Sequence, residues 1–119
     1  MAAVRAANAL QQSLWPSPSD PLWQSLEADG LRVTNDIRRI SPPIVILIPV
    51  EARLMTGCVY EIDYDVTAVA PGPEHADALS WLWGTAAKSI LKHAPSVQFI
   101  PFNDFPAIVG EVTVTVEVQ

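Results

Sequence analysis

The sequence predicts an α+β domain: a mostly antiparallel sheet, one main helix packed on a face of it, and an N-terminal helix. Three observations carry this. Residues 59–69 and 110–118 alternate between apolar and mostly polar side chains, the period of half-buried strands. Residues 73–92 place apolar side chains at helical spacing behind a proline start and ahead of a basic end. The strands come in runs joined by short turns instead of alternating with helices, which distinguishes α+β from α/β. At 119 residues the chain is expected to be one domain, 1–119, able to bury a core without staples.

Taken in order, residues 2–14 form an alanine-rich helix with Ala3, Ala7, Leu10 and Leu14 on one face. Pro16 and Pro18 end it. Ser19 or Asp20 caps a short second helix with Pro21 in its first turn, Leu22, Trp23 and Leu26 on its apolar side, and Gly30 as its stop. Residues 31–34 make a short strand and 35–43 a loop. Residues 44–48 are apolar on both faces and belong inside the sheet, with Pro49 closing the strand and 50–57 forming a connection. In the long strand 59–69, Tyr60, Ile62, Tyr64, Val66 and Ala68 share the apolar face, and Cys58 ahead of them is expected to be buried.

The main helix, 73–92, carries Leu79, Trp83, Ala86 and Ile90 down one face, widened by Leu82 and Ala87. Gly84 weakens it by about 1 kcal/mol relative to alanine, and is expected to permit close packing. Residues 97–102 form an edge strand because Pro101 lacks an N–H. Residues 103–106 turn. In the final strand, Val112, Val114, Val116 and Val118 pack under the main helix, with Glu111, Thr113, Thr115 and Glu117 opposite.

Composition excludes several functions. Seven basic against thirteen acidic residues, net charge −6, does not suit gripping nucleic acid through its phosphates. No apolar run approaches the roughly 18 residues needed to span a bilayer, and the first residues lack a signal peptide's apolar core. Cys58 is the one cysteine, so no internal disulfide forms, and a cytosolic origin follows. His75 and His93 are 18 residues apart, and no zinc-site spacing occurs. Asp63 and Asp65 share a face as catalytic carboxylates can, but alternating acids on an exposed strand are ordinarily just solvated. Ser80 and Ser89 lack a nucleophile elbow, and there is no phosphate-cradling loop. Arg38-Arg39, the sole basic cluster, reads as a solvated pair. No catalytic, cofactor-binding or metal residue is assigned, and the chain reads as a non-enzyme.

The order of elements resembles a known family. Ser41-Pro42-Pro43-Ile44-Val45-Ile46-Leu47, Cys58 opening a long strand, Val69-Ala70-Pro71-Gly72-Pro73 entering a helix with Leu79 and Leu82, and Phe105-Pro106-Ala107 before a terminal strand are similar to the tail terminator proteins of long-tailed bacteriophages, especially those of actinobacterial hosts. The resemblance covers nearly the whole chain. Its motifs are short and apolar, and the order of elements and the length of the chain carry it. The helical segment 20–28 has no assigned place in the family pattern.

The resemblance implies a virion protein, assembled in the host cytoplasm, that forms a hexameric ring at the head-proximal end of the tail. Such a ring ends growth of the tube and joins the head connector. Its partners would be copies of itself, the major tail tube protein and the head-completion or connector protein, with genomic DNA passing through unbound, and no membrane. No cofactor is implied. Against that background, Glu61, Asp63, Asp65, Glu111 and Glu117 share one sheet face by alternation and are expected to line a lumen that repels DNA. Ala3, Ala7, Leu10, Leu14 and Trp81 are assigned to subunit contacts, where aromatics are enriched. Unpaired sheet edges are expected to join subunits as well. A small acidic binding or inhibitor module, and an enzyme with an unrecognised site, are the competing readings.

Overall fold

The computed structural model describes residues 14–38, 40–72 and 76–117. The elements are α1 (Pro21–Ala28), β1 (Val33–Thr34), β2 (Ile44–Thr56), β3 (Val59–Val69), α2, β4 (Val97–Phe99) and β5 (Ala107–Glu117). Helix α2 runs over 76–90 in three consecutive segments: α-helical Ala76–Trp81, π-helical Leu82–Ala86 and α-helical Ala87–Ile90. The N-terminal helix expected over 2–14 lies outside the described residues up to position 13. So do Arg39, the helix start at 73–75, and Val118.

The strands form one sheet in the order β1-β2-β3-β5-β4. The fold is α+β, but the sheet is mixed. β1 joins β2 in parallel, and the other three pairings are antiparallel. Strand β2 does not stop at Pro49. The register slips between Pro49 and Glu51 and again between Leu54 and Thr56, and pairing with β3 continues to Thr56. A bulge is one of the few places where a strand tolerates a proline. Gly57, with φ of 56°, and Cys58 then make a two-residue hairpin turn. Cys58 is exposed there, not buried, because turn residues project past the sheet.

One face of the sheet holds the main core. Val45 and Leu47 of β2, Ile62, Tyr64, Val66 and Ala68 of β3, and Ile108 and Val112 of β5 are buried under Ala78, Leu82, Ala86 and Ile90 of α2 and Leu22, Trp23 and Leu26 of α1. The buried stripe of α2 therefore keeps Leu82, Ala86 and Ile90 of the expected face but not Trp83. Ala78, Leu82, Ala86 and Ile90 repeat every four residues, and Trp83, one step round the helix, is 46% exposed. Val112 is buried, but Val114 and Val116 are only half-buried. They face α1 and the segment before it, not the far end of α2. On the second face a smaller cluster joins Ile44, Ile46, Val69 and Ala107, with Ile40, Phe102 and Phe105 packed over it.

Helix α1 ends as its glycine suggested. Gly30 adopts φ of 87°, its N–H bonds the Glu27 carbonyl, and the Leu31 N–H reaches back to the Leu26 carbonyl. That paired pattern, with Leu26 and Leu31 both in the core, is a Schellman stop. Side chains then tie α1 to the end of α2. Ser89 Oγ donates to Asp29 at 2.6 Å, Lys92 Nζ bonds the same carboxylate at 2.9 Å, and Ser25 Oγ lies 2.9 Å from His93 Nε2.

Close packing is provided by Gly110 and not by Gly84. A Cβ at Gly110 would stand 2.7 Å from Ile90 Cγ2 and 3.1 Å from Ala94 Cβ, while one at Gly84 would meet nothing within 4 Å. Two substitutions of identical chemistry should thus act in opposite directions. Gly110→Ala is expected to destabilise by about 1–3 kcal/mol through overpacking. Gly84→Ala is expected to stabilise by up to about 1 kcal/mol through helix propensity. Urea unfolding midpoints of the two variants check this.

Candidate functional site

The register between β3 and β5 sets Glu61 opposite Thr115, Asp63 opposite Thr113, Asp65 opposite Glu111 and Val59 opposite Glu117. Directly opposed residues project to the same side. The five acidic residues singled out by alternation therefore share one face. This face is not acidic throughout. Its end near Ile44 and Val69 is the small apolar cluster, so the charge is confined to the half nearer the hairpin turn.

The extension of β2 adds two residues that the sequence reading had placed in a connection. Glu51 pairs with Asp63, and Arg53 with Glu61, which brings both onto the acidic face. Arg53 organises it. Its guanidinium bonds Glu61 Oε1 at 2.6 Å, Asp63 Oδ2 at 2.8 Å and Oδ1 at 3.1 Å, and also the Glu51 carboxylate. Thr113 Oγ1 donates to Asp63 Oδ1 at 2.7 Å from the opposite strand. Asp63 is the best held of the acids. The Arg53 hydrogen bonds, then that from Thr113, lower its pKa from the ordinary 3.8 to about 2. The same bonds raise the Arg53 pKa further above its usual value. Among the described residues, six carboxylates thus share the face with one guanidinium, and Asp65 and Glu111 stand opposed with no cation between them among the described ion pairs.

The assigned subunit-contact residues are more scattered. Leu14 and Trp81 are half-buried and pack against the main core. Ala3, Ala7 and Leu10 lie outside the described residues. The exposed tryptophans are Trp15 and Trp83. Along the outer side of β2, Val50, Leu54 and Met55 are each more than half exposed. Beyond Ile46 no described strand pairs with that side of β2, and beyond Gly110 none pairs with the outer side of β5. Beside β5 lies a cavity of about 260 Å³ lined by Pro21, Leu22, Leu47, Tyr64, Val114 and Val116, with Asp20 and Glu117 at its margin. Burial, and secondarily the Asp20 charge, push the Tyr64 hydroxyl up to about 12.

Among the described residues no group of three or more His, Cys, Asp or Glu is placed to hold a metal ion. None of their helices is long and apolar enough to cross a membrane. The acidic face is a surface feature: a negatively charged stretch of sheet braced at one point by Arg53. Comparison with known proteins leaves its assignment open, since no family model, curated protein or solved structure matches the chain.

The bracing has a pH signature. A carboxylate whose pKa falls on folding adds stability that is present above its unfolded value and is lost as pH drops through the folded one. For Asp63 that window runs from 3.8 to about 2. Unfolding midpoints measured from pH 5 to about 2 should fall across this window, and Asp63→Asn should remove part of that slope. An identical slope in the variant would mean that Asp63 is not held as described.

Proposed function

We propose that the chain is a structural virion protein, a tail terminator of a long-tailed bacteriophage. Copies form a hexameric ring at the head-proximal end of the tail tube, end its growth and meet the head connector. The observation that carries this reading is the hairpin half of the sheet, where three long strands present an acidic face and both lateral edges are unpaired among the described strands. An element of that kind is suited to repetition around an axis. Its edges call for neighbours, and its charged face suits a channel that DNA crosses without adhering. The absence of an assigned catalytic motif in the sequence fits a structural role. The family resemblance supplies the identity of the tube and connector partners.

In this reading Asp65 and Glu111 face the DNA path. They are a better target than Asp63, whose replacement would disturb Arg53. Changing Asp65 to lysine should leave particle assembly intact and make DNA ejection slower and sensitive to salt. Unchanged ejection, or a ring with these side chains on its outer surface, would contradict the lumen assignment. A chain that stays monomeric at every concentration and ignores tail tubes would favour an acidic binding or inhibitor module.

A further inference from the structure

We infer that copies of this chain join head to tail by a parallel pairing of two short strand stretches. Residues 51–54 of one copy lie beside 113–116 of the next, and Leu54 sits at the cavity beside β5. This rests on the assembly reading above, and specifies the contact that such an assembly would use.

Strand direction comes first. β2 and β5 are both antiparallel to β3, so they run the same way. A head-to-tail contact repeated by rotation about one axis keeps that direction and sets β5 parallel to the neighbour's β2. A two-fold dimer would instead pair β2 with β2, or β5 with β5, antiparallel. Only the first arrangement uses two different edges, leaves one of each free, and continues until a ring closes.

The two irregularities in β2 mark the stretch available. Bulges disturb a strand edge. Between the bulge after Pro49 and the one after Leu54, residues 51–54 keep regular register with β3. Through β3, these four stand level with Thr113, Val114, Thr115 and Val116. The outer side of both stretches is unpaired by any described strand.

Side chains and strand length then choose the register: a two-residue slip toward the end of β5 carries Leu54 past Glu117, the last residue of that strand. At the level register Ala52 meets Val114 and Leu54 meets Val116 on the core face, while Glu51 meets Thr113 and Arg53 meets Thr115 on the acidic face. No like charges oppose one another. A slip that brings Leu54 to Val114 sets Glu51 against Glu111, which is unfavourable. A one-residue slip exchanges the faces altogether. Leu54 is 60% exposed in the single chain, and Val116 lines the apolar cavity. The pairing covers the first with the second. On the other face, Arg53 is brought next to the edge that carries Glu117, which adds a cation to a margin held by acids.

The test is cysteine cross-linking in a Cys58→Ser background, with solution mass measured by native mass spectrometry. Leu54→Cys combined with Val116→Cys should give, on oxidation, a denaturation-resistant ladder extending past the dimer. Leu54→Cys combined with Thr115→Cys should not, because the two point to opposite faces. Leu54→Lys, at an exposed position, should keep the circular dichroism spectrum and lower the oligomer fraction by about tenfold or more, a change equivalent to roughly 1.4 kcal/mol. Oligomers that form without the 54–116 ladder, or that stop at a dimer cross-linked through position 54 of both copies, would overturn the pairing but not the ring. So would an undiminished oligomer fraction in Leu54→Lys. A monomer at every concentration, with no ladder, would overturn both.

Discussion

The structure depends on a mismatch of lengths. Strand β3 has eleven residues, about 37 Å at the usual rise of a strand. Helix α2, over 76–90, spans only about 22 Å, and α1 is shorter still. Helix α2 alone cannot cover the sheet from end to end. The core encloses Val45, Val66, Ala68 and Ile108 at one end and continues to Ile62 and Tyr64, over which α1 and the residues before it lie. The hairpin turn and the last pairs before it, Leu54 with Tyr60 and Thr56 with Val59, extend beyond the core.

Much of the surface chemistry lies at the hairpin end. No described helix crosses the second face there, and the chain places carboxylates on it at alternate positions of β3, from Glu61 to Asp65. Arg53 limits the repulsion by bridging three of the face's acids from the neighbouring strand. The core-side face of the same end keeps Leu54 and Tyr60 partly in solvent, because only α1 and the residues before it reach across to Val114 and Val116. The edges are open there because β1 and β4 are short and flank only the other end. Acidic face, apolar margin and unpaired edges thus meet at one end of the sheet.

The sequence disclosed the parts governed by simple periods. Strand β3 begins and ends where alternation put it, and the acidic set came together because a period of two leaves no freedom once two strands pair. The Gly30 stop and the buried side of α1 were equally readable. What was hidden had local causes. Pro49 reads as a strand end unless a bulge is foreseen, and this concealed Arg53, although Glu51-Ala52-Arg53-Leu54 carries its own alternation. The buried stripe of α2 was legible at Leu82, Ala86, Ala87 and Ile90, but Trp83 was not excluded from it, because Leu82 and Trp83 are both apolar and hydropathy alone cannot rank them. Gly110 was read as a strand start, and its contact with Ile90 depends on how α2 lies on the sheet, which no local pattern records.

The central claim is that the uncovered half of the sheet is a lateral joining element. Its most direct test is hydrogen exchange of the backbone amides of residues 50–56 and 111–117, in dilute chain and in chain concentrated until oligomers form. The account predicts that outward-pointing amides in both stretches exchange rapidly when dilute and become protected together on assembly, while the enclosed core is unchanged. Oligomers in which these amides still exchange as in the dilute chain, or protection of only one of the two stretches, would contradict it.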